Sequence, residues 1–182
     1  MPNYRRPFVP GGTFFFTVTT NGRQPVLTEP AILAALRDAV RQTRRALPFT
    51  IVAWVVLPDH VHTVWELPPG DADFSLRWAR IKQIVTRVYT EMPFVREARS
   101  PSRTKRREGT LWQRRFWEHQ IRDEIDLVRH VEYIHYNPVK HSHVSRVQDW
   151  PHSTFHKYVR SGIYPQQWGD EGYVEGTGGY GE

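Results

Sequence analysis

Two apolar stretches joined by Pro58-Asp59 constrain this chain more than any other feature. Residues 49–57 are nearly all apolar (Ile51, Val52, Trp54, Val55, Val56), as in a central strand covered on both faces. Residues 60–67 then alternate, as the return strand of a hairpin, and Pro68-Pro69-Gly70 ends it. Residues 13–20, with Phe14, Phe15 and Phe16, form a further strand between Gly11-Gly12 and Asn21-Gly22. Between these strands, residues 29–47 place Ile32, Leu33, Leu36, Ala39 and Val40 on one side and Arg37, Arg41 and Arg44 on another. That spacing predicts an amphipathic helix, opened by Pro30 and stopped before Pro48. Residues 73–92 repeat the pattern with Leu76, Ile81, Ile84, Val85 and Val88. An aromatic-rich strand is expected over 112–121. A third helix follows over 123–137, with Asp123, Glu124 and Asp126 in its first turn and Pro138 as its stop. The order β-α-β-β-α-β plus a helix is the ferredoxin-like split arrangement, an α+β fold with a mostly antiparallel sheet. Two helices cover one face, and the third can close over the other. Trp54 is expected in the core.

The length of 182 residues suits one domain. The expected boundaries are a domain over 1–168 and a Gly-rich, acidic tail over 169–182. The last 22 residues hold seven of the 12 glycines, four acids and no cation. Cysteine is absent, which excludes disulfides, Cys-ligated zinc, iron–sulfur clusters and a thiol nucleophile. Any metal must sit on His nitrogen and side-chain oxygen. No apolar run approaches the ~20 residues of a membrane helix, and the amino terminus lacks a secretory core. A cytoplasmic, nucleoid-associated protein is the expectation. The net charge of +6 is unevenly spread. Residues 1–115 carry 19 basic and 9 acidic side chains, a balance of +10, and residues 116–182 carry 6 and 10, a balance of −4. Of the 25 cations 21 are Arg, suited to bidentate phosphate contacts, and the densest stretch is 96–115. Basic segments interleaved with Trp, Tyr and Phe fit a polyanion binder that also stacks bases.

Two groups of residues bear chemistry. In His60-Val61-His62, alternation puts both imidazoles on one face with backbone positions roughly 6.6 Å apart, where one ion can bridge them. His141-Ser142-His143 has the same form but lies in a polar stretch after Pro138. On the third helix Tyr133 and Asn137 are spaced i,i+4 and share a face, with His130 nearby. A phenol beside an amide oxygen suits metal-assisted nucleophilic attack. Tyr136 is the competing phenol. The bland alternative has both tyrosines packing and Asn137 capping the helix. His119 is expected to satisfy a backbone carbonyl. Trp112, Phe116 and Trp117 divide between stacking unpaired bases and core packing.

The residues 55–62, Val-Val-Leu-Pro-Asp-His-Val-His, resemble the HUH motif of single-tyrosine transposases. Residues 112–119 and 131–141 more specifically resemble the REP-associated tyrosine transposases, which are linked to repetitive extragenic palindromes in bacteria. The similarity extends to Tyr4-Arg5-Arg6, Gly11-Gly12-Thr13 and residues 150–156. The resemblance implies that His60, His62 and Asn137 hold one Mg2+ or Mn2+, although some relatives carry the longer Gln at the third position. It implies that Tyr133 attacks a single-stranded DNA phosphate, leaving a 5′-phosphotyrosine and a free 3′-OH. The implied substrate is a palindromic hairpin with an adjacent single-stranded guide. Candidate phosphate contacts are Arg5, Arg6, Arg103, Lys105, Arg106, Arg107, Arg114, Arg115 and Lys140, together with the first helix. A monomer is favoured over a dimer that swaps the tyrosine helix. The alternatives are a catalytically silent hairpin DNA- or RNA-binding module and a metal-free two-histidine phosphoesterase.

Overall fold

A computed structural model describes residues 9–92 and 111–170. The elements are β1 (Thr13–Thr19), α1 (Pro30–Ala46), β2 (Thr50–Val56), β3 (His60–Glu66), α2 (Phe74–Glu91), β4 (Trp117–Gln120), α3 (Glu124–Lys140) and α4 (Phe155–Arg160). The strands form one antiparallel sheet in the order β2-β3-β1-β4. This is the expected split β-α-β-β-α-β order followed by the added helix.

Period-two alternation explains the run of three phenylalanines in β1. Phe14, Phe16 and Val18 join Val61 and Trp65 in the core under α1 and α2, packed on Leu36, Trp78 and Val85. Phe15 points the other way and joins Ala53, Val55 and Val64 under α3, against Val131, Tyr133 and Ile134. Both faces of the sheet are therefore buried, which is why its strands read as nearly continuous apolar runs. Asp73 and Asp123 cap α2 and α3, accepting from the Leu76 and Asp126 amides at 2.8 Å. Buried Arg77 in the first turn of α2 grips Asp71 with both terminal nitrogens and reaches the Pro48 carbonyl at 2.7 Å. Leu76, expected on the apolar side of α2, is instead 51% exposed.

Two boundaries differ from expectation. β4 begins at Trp117; Trp112 contributes only an isolated bridge to Thr20, and the segment between is irregular. Its aromatics mimic a strand because they fill the α1–α2 core, not because they follow the pleat. α3 continues through Pro138 to Lys140. A proline inside a helix removes one donor, but the exit here is made by later amides. His141 N–H donates to Asn137 O, Ser142 N–H to Val139 O, and His143 N–H to Pro138 O, with Ser142 at φ +58°. Asn137 is thus wholly buried inside the helix and is not its C-cap. Among the described residues no helix is long and apolar enough to cross a membrane.

Candidate active site

β3 starts at His60, directly after the Pro58-Asp59 turn, and this placement fixes the first ring. His60 Nδ1 lies 2.6 Å from Asp59 Oδ1, and Asp59 also accepts from Arg23 at 3.2 Å. Burial raises the Asp59 pKa, but His60 and Arg23 outweigh it and bring the carboxyl down to about 2. The carboxylate therefore accepts a hydrogen bond from the Nδ1–H of His60 and turns Nε2 toward the neighbouring ring. Two residues on, His62 Nδ1 is 2.9 Å from Thr17 Oγ1 across the β1–β3 pairing. The two Nε2 atoms face each other at 3.1 Å. His62 is wholly buried, and burial first, then its neighbours His60, His141 and Lys140, push its pKa well below the usual value. It stays neutral, as a ligand nitrogen must.

α3 closes over this pair. The Tyr133 ring is 5.2 Å from the His62 ring at 67° and 6.0 Å from Phe15, and the residue is 1% exposed. Lys140 Nζ stands 4.9 Å from the Tyr133 ring centroid. Asn137 follows one turn after Tyr133. Tyr136 turns elsewhere, toward Gly169, where a Cβ would come within 3.4 Å of its ring. Of the two phenols, then, Tyr133 accompanies the histidines. His141, at the end of α3, sits with its ring 5.4 Å from that of His60. Polar flanks set His141 apart from the first pair in sequence, and the continuation of α3 past Pro138 carries it to the site. The donor set fits a divalent ion: two facing imidazole nitrogens whose other nitrogens are pinned, with a buried amide on the neighbouring helix.

A second cluster lies at the other end of α3. His119 Nε2 is 2.9 Å from Asp126 Oδ2 and His130 Nδ1 is 3.2 Å from Asp126 Oδ1, with the two rings stacked at 4.8 Å. His119 thus meets a carboxylate and not the expected backbone carbonyl, because α3 begins with its acidic first turn against β4. Arg122 also donates to Asp126 Oδ2, from Nε and from its amide, and His130 Nδ1 is 2.7 Å from the Asp126 carbonyl. Burial opposes ionisation of Asp126, but Arg122 and His119 hold its pKa well below the usual carboxylate range. With a guanidinium on the carboxylate and a ring N–H on the carbonyl, this cluster braces α3 against β4. His130 also packs on Phe15, at 4.9 Å, and Phe15 on His62, at 5.5 Å, so the brace buttresses the histidine pair.

Arg5, Arg6, Arg103, Lys105, Arg106 and Arg107 lie outside the described residues. Arg114 and Arg115 are exposed ahead of β4, and Lys140 is exposed at the end of α3. The aromatic candidates are packed. Trp112 and Phe116 belong to the α1–α2 core, and Trp117 lies edge-on to Phe15 at 5.6 Å. Trp54 is only half-buried, at the sheet edge.

Residues 11–137 match the transposase IS200-like family. The chain belongs to that family. Within it the chain is 45% identical over 170 residues to a REP-associated tyrosine transposase of Haemophilus influenzae, covering 93% of this chain and 94% of that one. It is 45% identical over 169 residues to the REP-associated tyrosine transposase of Escherichia coli K12, covering 92% and 91%. A solved REP-associated tyrosine transposase bound to a REP hairpin has the same fold, with a TM-score of 0.80 and 42% identity, over 100% of this chain and 98% of that one. The particular branch is therefore that of the REP-associated tyrosine transposases.

Proposed function

We propose that this protein cleaves and rejoins single-stranded DNA beside hairpins of repetitive extragenic palindromes, using a divalent metal ion and a covalent phosphotyrosine intermediate. The observation that carries the reading is the facing pair of imidazole nitrogens, 3.1 Å apart, with the Tyr133 ring 5.2 Å from His62. His60, His62 and Asn137 would hold Mg2+ or Mn2+, which supplies neutralisation of phosphate charge and polarisation of the phosphorus. Asp59 and Thr17 orient the two rings. The Tyr133 oxygen bonds to phosphorus, and its phenolic proton passes in net to the departing 3′ oxygen. The P–O3′ bond breaks and leaves a free 3′-OH. One ester replaces another, so the reverse attack by a 3′-OH rejoins strands without ATP. Lys140, above the phenol ring, would offset charge on the phosphate.

Hairpin recognition is supported by the solved relative, which is bound to a REP hairpin. The exposed cations Arg114, Arg115 and Lys140, together with those of α1, would contact phosphates. One chain brings Tyr133 to the histidine pair, which supports a site completed within a monomer. The test is cleavage of a palindromic hairpin oligonucleotide bearing single-stranded flanks, with Mg2+ or Mn2+. Tyr133→Phe should abolish cleavage and leave affinity unchanged, and Tyr136→Phe should cleave normally. The reverse pattern would move the nucleophile to Tyr136. Tight binding without any cleavage by the native chain would make this a hairpin-binding module.

A further inference from the structure

The brace between α3 and β4 brings ligand atoms from two elements to one point. His119 on β4, and Asp126 and His130 on α3, place a ring nitrogen or a carboxylate oxygen each within 4.8 Å of one another. Simple rules put them there. Asp126 and His130 are spaced i,i+4 and share one face of α3. His119 stands opposite Phe15 in the β1–β4 pairing, so its ring lies on the side of the sheet that α3 covers. β4 has only four residues and is an edge strand, so α3 holds it from a face where no further strand does. Two imidazoles and one carboxylate are the donor set of a Zn2+-class ion, whereas Mg2+ takes oxygen ligands and keeps its waters.

The separations suit a shared ion. Zn2+ bonds nitrogen and carboxylate oxygen at about 2.0–2.2 Å, which sets neighbouring donors about 3.4 Å apart in a tetrahedron. His119 Nε2 is 2.9 Å from Asp126 Oδ2, and His130 Nδ1 is 3.2 Å from Oδ1. Asp126 and His130 are buried, whereas the His119 side chain is 27% exposed, so an ion and its water ligand have an entry on that side. Burial pushes the His130 pKa below the usual histidine value, which keeps that ring a neutral donor. An ion would replace the hydrogen bonds that these nitrogens make to Asp126, each ring moving its proton to its far nitrogen. Arg122 is the cation now on the carboxylate, with Nε 3.0 Å from Oδ2. Its side chain is 73% exposed, so this pair is weakly held and the guanidinium can give way to solvent.

We propose that His119, Asp126 and His130 form a second metal site, separate from the histidine pair, where a Zn2+ ion clamps the helix bearing Tyr133 to the edge strand β4. Tyr133 lies three residues after His130 on the same helix, so the ion would fix the position of the phenol without touching it. The site stands whether or not the chain cleaves DNA. The test is Zn2+ binding to the full chain, counted by equilibrium dialysis. His119→Gln, at the most exposed of the three ligands, should bind about one equivalent fewer than the native chain, and so should Asp126→Asn. His60→Ala/His62→Ala should keep this equivalent. Zn2+ at about a hundred times its Kd should raise the Tm of that double variant by about 5 °C, and adding His119→Gln should remove the rise. Arg122→Gln should bind the ion more tightly, because it removes the competing guanidinium; a purely structural brace predicts no such gain. An undiminished count in both His119→Gln and Asp126→Asn, or weaker Zn2+ binding by Arg122→Gln, would overturn the proposal. So would loss of all Zn2+ binding in a folded His60→Ala/His62→Ala variant.

Discussion

His135 offers a quantitative test of how α3 is anchored. It is wholly buried, with Nε2 2.9 Å from Thr154 Oγ1, and Thr154 in turn bonds the Trp54 backbone. Burial, then the nearby His156, push its pKa down to about 3. The unfolded chain takes up this proton near the ordinary histidine value of about 6.5, and the folded chain does not until about 3. Below 6.5 the unfolded state therefore binds more protons, and stability falls with falling pH by about 1.4 kcal/mol per unit. The contribution is fully present above 6.5 and exhausted below the folded value. Going from about pH 7.5 to about pH 4.5, this one group should cost about 3 kcal/mol. His135→Phe keeps the ring among Phe155, Tyr158 and Tyr164 but removes the titration and one hydrogen bond, a loss of about 1 kcal/mol at neutral pH. Urea unfolding followed by tryptophan fluorescence should show the native chain more stable at about pH 7.5 and the variant more stable at about pH 4.5. His62, His130 and His152 also have lowered pKa values and remain in both proteins, so the difference isolates His135. A difference independent of pH would refute the reasoning.

Two further outcomes follow from the same geometry. Asp126→Ala strands His119, His130 and Arg122 together and should cost about 2 kcal/mol in thermal or urea unfolding, and a neutral effect would show that the brace does not anchor α3. Asp59→Ala frees the His60 ring without removing a ligand, and Mn2+ affinity read by electron paramagnetic resonance should fall about ten- to hundred-fold. An unchanged affinity would place the metal elsewhere.

The fold was legible where each element had its own periodicity. The hairpin, the two helices that cover one face and the triple phenylalanine strand all declare themselves through burial that repeats every two or every 3.6 residues. Legibility failed where a local rule competed with tertiary contact. Pro138 reads as a stop, yet α3 passes through it because the exit amides of His141, Ser142 and His143 are satisfied beyond it. Gln113–Phe116 reads as strand, yet its aromatics serve a core that does not follow the pleat. At the site, HxH spacing and the i,i+4 pair are short-range patterns and were visible. The carboxylate behind His60, the hydroxyl behind His62 and the approach of His141 depend on pairings across β1, β3 and α3, and no local pattern encodes them. Trp54 misled for a related reason. An indole in a β strand reads as core, and the sheet order that makes β2 an edge emerges only on folding.

On the proposed function, Tyr133 becomes covalently joined to DNA beside the histidine pair. The most direct measurement incubates the native chain with a flanked palindromic hairpin and Mn2+, isolates the denaturation-resistant adduct, digests it and sequences the DNA-bearing peptide by mass spectrometry. A single modified peptide is expected, carrying 5′-phosphorylated DNA on Tyr133, and none when chelator is present. An adduct on Tyr136, or cleavage that persists in chelator with no adduct, would contradict it.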